Sequence, residues 1–181
     1  MPLTKRQHEL YHEVLRIAHL TGLNFTSVED WRSTGRARRL RVVIHKMVIA
    51  EIVMKYTFID EVLAEIIASY FFMRSDTKTV SHNTKKFTVF WHRVLDEMYL
   101  LKKMELVHAI KPIPKDIRST IHRLNDIRNA FAHSLFPENR KEHMQGKKVL
   151  YRDKDIRAYE GLKLFVDDTA AAYTYLDRRV R

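Results

Sequence analysis

Four glycines and four prolines are all the turn punctuation in a chain of 181 residues. A many-stranded sandwich or barrel needs a turn signal roughly every 8–12 residues, so this scarcity argues against one and leaves long helices. Apolar spacing agrees. Leu10, Val14, Ile17 and Ala18 form a helical stripe behind a capping box at Thr4 and Gln7, with Gly22 to end it. Ser27 and Asp30 can open a short second helix before Ser33, Thr34 and Gly35 break it. From Arg36 the helical pattern continues to Phe72, with a kink expected around Tyr56, Thr57 and Phe58, where bulky and β-branched side chains cluster. Residues 74–86 read as a loop and Phe87 to Lys103 as one amphipathic helix, and Pro112 and Pro114 end the segment after it. A helix from Lys115 to His133, a polar connection from Pro137 to Asp153 and a last helix from Asp155 to Asp177 complete the chain. That last helix places Leu162, Phe165, Val166, Ala170 and Tyr173 on one side, and Lys148–Tyr151 is strand-like but too short to count. The expected fold is all-α.

The length fits one domain with an extension. The absence of cysteine excludes disulfides, thiolate metal sites, iron–sulfur clusters and a cysteine nucleophile, and fits a reducing cytoplasm. The most apolar stretch, Val42 to Met73, is interrupted by Lys46, Glu51, Lys55, Asp60, Glu61 and Glu65, which makes it a poor membrane span. The opening MPLTKRQHELYHE lacks the apolar core of a signal peptide. A soluble, cytoplasmic protein is expected. Lys and Arg number 33 against 22 Asp and Glu, and the net charge of +11 points to nucleic acid first and an anionic membrane second. The charge is uneven, since Arg32–Lys46 holds six bases and no acid. Arg36, Arg38, Arg39 and Arg41 within it form a candidate phosphate-tracking patch, against the plainer reading of a solvated basic helix face.

His8-Glu9-Leu10-Tyr11-His12 matches the H-E-x-x-H pattern of zinc peptidases. Its context does not. Seven residues precede it, leaving no sheet to align a peptide, and Leu15 stands where the extended pattern has Gly. His8, His12 and His19 fall opposite the apolar stripe, on the side expected to face water, whereas a catalytic zinc needs a walled cleft. No metal and no cofactor is expected.

Residues 121–136 read IHRLNDIRNAFAHSLF. On a helix Ile121, Leu124, Ile127, Phe131 and Leu135 fall in one apolar arc. Arg128, Ala132, Asn125, Asn129 and His133 come next over about 140° of the wheel, and His122 lies over the same stripe. The group suits anion chemistry. Arg offers a permanent planar cation to phosphate, and His titrates near neutrality at a pKa of about 6.5. Asn can orient either group without adding charge. Metal-free RNA cleavage needs these parts: a proton carrier near the 2′-hydroxyl and a cation on the phosphate.

Arg128-Asn129-Ala130-Phe131-Ala132-His133, in the context L-N-D-I-R-N-A-F-A-H-S, resembles the signature of the HEPN superfamily (higher eukaryote and prokaryote nucleotide-binding domains), closest to its mannitol-repressor-like and ribonuclease branches. Ile59 to Phe72 is similar to the family's first long helix and Phe87 to Leu101 to its next, so the resemblance covers about residues 46–178. It implies a four- or five-helix bundle over 46–181 with residues 1–45 as a helical, basic extension. It also implies a homodimer with paired motifs and, in many members, a metal-independent endoribonuclease of toxin–antitoxin or phage-defence systems. On that basis Arg128 holds the scissile phosphate, His133 moves protons and Asn129 orients them, giving 2′,3′-cyclic phosphate and 5′-hydroxyl ends on RNA. An antitoxin or regulatory partner fits the same resemblance. Leu135 stands where the nucleotidyltransferase-paired toxin branch has Tyr, so that regulation is not implied.

Plainer roles stand beside these. Arg128 and His133 near a helix C-terminus would favour its dipole, Asn129 could bond across an interface, and His122 could be an exposed bystander. Asp60, Glu61 and Glu65 could reach Arg128, although such acids more often pair locally. His92 and His108 have no partner readable from spacing, and Trp31 and Trp91 are expected to pack rather than stack on bases. The alternative to a ribonuclease is a non-catalytic HEPN regulator or partner-binding module associated with nucleic acid.

Overall fold

Helix α1 (Lys5–Leu20) begins after Thr4, whose carbonyl accepts the His8 amide at 3.0 Å. It buries Val14, Ile17 and Ala18 and leaves His8, His12 and His19 exposed, as its wheel predicts. The Thr21 hydroxyl closes its far end by donating to the carbonyls of Ile17 and Ala18 at 3.0 and 3.1 Å. The computed structural model describes residues 4–21, 37–73, 82, 84–132 and 149–180, and over these the chain is an all-α bundle with one two-residue hairpin. The short helix expected near Ser27 and Asp30 lies outside the described residues.

Helix α2 (Ala37–Phe72) runs 36 residues without a break at Tyr56–Phe58, and the boundary expected after residue 45 falls inside it. Neither Gly nor Pro occurs along it, so nothing in its backbone chemistry interrupts the ladder.

The single helix expected from Phe87 to Lys103 is instead two. Helix α3 (Lys85–Phe90) is capped by Thr84, whose side chain accepts the Phe87 amide, and it passes into a π turn over Trp91–Leu95 closed by Asp96 N–H on the Trp91 carbonyl at 2.9 Å. Helix α4 (Leu100–Ile110) starts afresh after an extended Tyr99. The reason is register. Phe87, Trp91 and Leu95 recur every four residues, which a widened π turn accommodates better than a 3.6-residue helix. Leu95 and Leu100, both fully buried, are five apart, and an unbroken helix would turn them away from each other.

Helix α5 (Lys115–Ala132) opens after Pro112 and Pro114, as expected. Strands β1 (Leu150–Tyr151) and β2 (Lys154–Asp155) then pair antiparallel through Arg152 and Asp153, at φ 45° and 64°. The strand-like segment, short as it is, therefore does contribute a hairpin, by a turn that needs two positive φ values. Helix α6 (Tyr159–Asp177) buries Leu162, Phe165, Thr169, Ala172 and Leu176, with Ala170 and Tyr173 exposed. This corrects the expected face, because the true stripe alternates three- and four-residue steps and runs through a threonine.

By its contacts the chain divides into two compact units: Met1–Val53 with Asn129–Asp167, and Met54–Arg128 with Asp168–Arg181. In the first, Glu13 accepts the Tyr159 amide at 3.2 Å and the Arg16 guanidinium lies 3.8 Å from the Tyr159 ring centroid, tying α1 to the start of α6. Tyr151 meets Phe165 edge-on at 5.5 Å. Gly161 sits against the carbonyl of Asp155, where a Cβ would overlap the oxygen and come within 2.7 Å of the carbon. Backbone cannot yield as a side-chain tip can, so Gly161→Ala should destabilise this unit by about 3 kcal/mol, the upper range for overpacking. Urea unfolding checks it, and an unchanged midpoint would show that the hairpin is not fixed on α6.

In the second unit Ile59, Val62, Leu63 and Ile67 of α2 are buried, as are Leu95, Leu100, Met104, Val107, Ile121 and Leu124. Arg179 donates to the carbonyls of Lys111 and Pro112 at 3.1 and 2.8 Å, holding the α4–α5 connection. Among the described residues no helix is long and apolar enough to cross a membrane.

Candidate functional site

Helix α5 carries the Arg–Asn–x–x–x–His sequence in its last turn and the residue beyond. The Pro114 carbonyl accepts the Arg118 amide at 3.1 Å, which starts the helix in register. From there Ile121, Leu124, Ile127 and Phe131 are buried, four of the five residues of the expected apolar arc, and Thr120 is buried as well. Arg128 is exposed although its wheel angle lies at the margin of that arc, and Ala132 is exposed as well. Asn125 and Asn129 are half-buried, and His122 is exposed. The Arg128 guanidinium lies 5.1 Å from the centroid of the Tyr56 ring of α2, a cation–π contact. Tyr56 thus backs the Arg128 guanidinium.

His133 and Arg36 lie outside the described residues, and so do the side chains of Arg38, Arg39 and Arg41, whose backbone forms the first turns of α2. Trp31 and Leu135 are also outside them.

The acids that could have met Arg128 are placed differently from one another. Asp60 bonds the ammonium of Lys103 at 2.6 Å, with the Lys103 side chain only 4% exposed. Glu61 and Glu65 are exposed. The two unassigned histidines have partners. His92 bonds Asp96 one turn on at 2.8 Å, an i, i+4 partner that the sequence reading did not assign. The His108 Nδ1 accepts the Ile113 amide at 2.8 Å, which holds the ring in the tautomer protonated on Nε2 and anchors the turn before α5.

Sequence reasoning did not find a cavity of about 620 Å³ among the described residues. It lies in the second unit between the C-terminal half of α2 and the α3–π segment. Ala68 and Ser69 are small residues on its α2 side, Phe87 and Trp91 are its aromatic lining, and Glu65, His82 and His92 are its titratable lining. Trp91 stacks on Phe87 with ring centroids 5.6 Å apart and planes at 27°, so it packs as expected, yet it stays half-exposed and lines the cavity. The signal was present as paired spacings, 65/68/69 against 87/91, but which helices face each other was not. Among the described residues no three His, Asp or Glu side chains are grouped to hold a metal ion. No family model, curated protein or solved structure matches this chain.

Proposed function

We propose that this chain is a metal-independent endoribonuclease of HEPN type, working as a homodimer on RNA. The observation that carries the reading is Arg128: a permanent cation, exposed on a helix whose other face is core, beside an exposed Ala132 that lets a strand approach. The net charge of +11 supports a polyanionic substrate. In the reaction the 2′-oxygen of a ribose bonds to the adjacent phosphorus while the bond from phosphorus to the 5′-oxygen breaks. The proton leaves the 2′-hydroxyl and one is returned to the departing 5′-oxygen. His133 is the proton carrier, Arg128 neutralises the charge that grows on the non-bridging oxygens, and Asn129 orients the two. Arg36, Arg38, Arg39 and Arg41 supply further cations for the phosphates of the RNA.

A second reading has its own support. Arg128 lies over Tyr56 within the same chain, a placement that also serves a structural arginine in a non-catalytic, nucleic-acid-associated module. Purified protein incubated with 5′-labelled mixed RNA in EDTA separates the two. The ribonuclease leaves 2′,3′-cyclic phosphate and 5′-hydroxyl ends, with affinity that falls steeply between low and physiological salt. RNA that is bound but uncut overturns the enzyme and leaves the module.

A further inference from the structure

We propose that the cavity between α2 and the α3–π segment binds a flat, amino-bearing nucleobase. Its volume of about 620 Å³ falls within the range of small-ligand sites, and clefts between helices are a common place for them. The chemistry of the lining selects the class. Trp91 is half-exposed and already stacked at 27° on Phe87, so its plane is fixed and it offers a ring to a planar ligand. His82 meets the Phe87 edge at 4.8 Å, which fixes a second ring at the same wall.

The charge of the described lining favours a base over a phosphate. The chain carries +11, yet among the described residues the lining has no Lys or Arg, and its one carboxylate is Glu65. A phosphate would therefore find no permanent cation in that lining, while an exocyclic amino group finds an acceptor. A carboxylate in the lining accepts from the exocyclic amino group of adenine or cytosine, whereas uracil places its C4 carbonyl oxygen, itself an acceptor, at that position. The hydroxyls of Ser69 and Thr88 add neutral polar groups to the lining. Such a base can come from a free nucleoside or from an unpaired position of an RNA strand, and this binding does not depend on the cleavage chemistry proposed above.

The test uses the full chain with Trp31→Phe, which leaves Trp91 as the one fluorescent tryptophan. Adenosine and cytidine should quench it saturably, with uridine at least about ten-fold weaker, the scale of one hydrogen bond to a charged group. Glu65→Gln, at an exposed position, should remove that preference while the circular dichroism stays unchanged. An oligoadenylate that displaces adenosine assigns the site to a strand, whereas adenosine that binds and is not displaced assigns it to the free nucleoside. No quenching, equal quenching by uridine, or a preference untouched by Glu65→Gln overturns the proposal. None of these outcomes bears on whether RNA is cut, so the two proposals fail separately.

Discussion

Asp60→Ala should destabilise the second unit by about 2–4 kcal/mol, the range expected when one partner of a largely buried ion pair is removed. The size comes from burial. The Lys103 side chain is 4% exposed and that of Asp60 27%, with 2.6 Å between Nζ and Oδ2. Removing the carboxylate leaves the ammonium of a side chain that is only 4% exposed without this counter-charge. The pair itself is a different matter, since its mutual attraction barely exceeds the cost of taking both charges from water. Asp60→Leu with Lys103→Met should therefore recover most or all of the loss. Urea unfolding followed by Trp91 fluorescence, in the Trp31→Phe background, reports on the same unit. Equal stability of Asp60→Ala and the wild type would mean that the Lys103 ammonium reaches water along its own stem, and the pair would then be a surface one.

That pair illustrates which parts of the molecule could be read in advance. α1 and α5 were legible because one helical period sorts their residues cleanly: Val14, Ile17 and Ala18 from three histidines, and Ile121, Leu124, Ile127 and Phe131 from the polar residues between them. The break between α3 and α4 was hidden because apolar residues continue across it, from Val94 and Leu95 through Met98 to Leu100 and Leu101. Composition shows no gap there; only the five-residue step between two fully buried leucines does. In α6 the polarity of single residues misled, since Thr169 is buried while Tyr173 is 39% exposed. The hairpin turn carries Arg152 and Asp153 where glycine or asparagine would have announced positive φ. The His92–Asp96 pair sits within one turn, yet spacing alone does not single it out, because an i, i+4 match does not say which of several nearby polar side chains will pair. Asp60 with Lys103, His108 with Ile113 and the aromatic cavity needed the fold, because they depend on which helix faces which.

Arg128→Ala should lower RNA cleavage by about 10²–10³-fold, the loss seen when one donor to a developing oxyanion is removed. His133→Ala should lower it by about 10²–10⁴-fold through loss of proton transfer. Stability cannot account for losses of that size. Arg128 is exposed, so Arg128→Ala should still be folded in the conditions of the assay, which chemical unfolding of the same variant checks. The two variants also need not add. If both side chains act on one transition state, the double variant should be little worse than the poorer single one. Arg128→Lys keeps the charge and loses the planar fork that grips two phosphate oxygens, so it should recover part of the rate and not all of it. Tyr56→Leu supplies the remaining discrimination. With Tyr56 backing the guanidinium, its loss should slow cleavage less than Arg128→Ala does while leaving RNA affinity within a few-fold. If instead Arg128→Ala and Tyr56→Leu lower stability equally and neither changes the ends of the RNA, Arg128 is a strut of the second unit and the motif holds protein rather than phosphate. Single-turnover cleavage set against chemical unfolding, on the same preparations, decides between these.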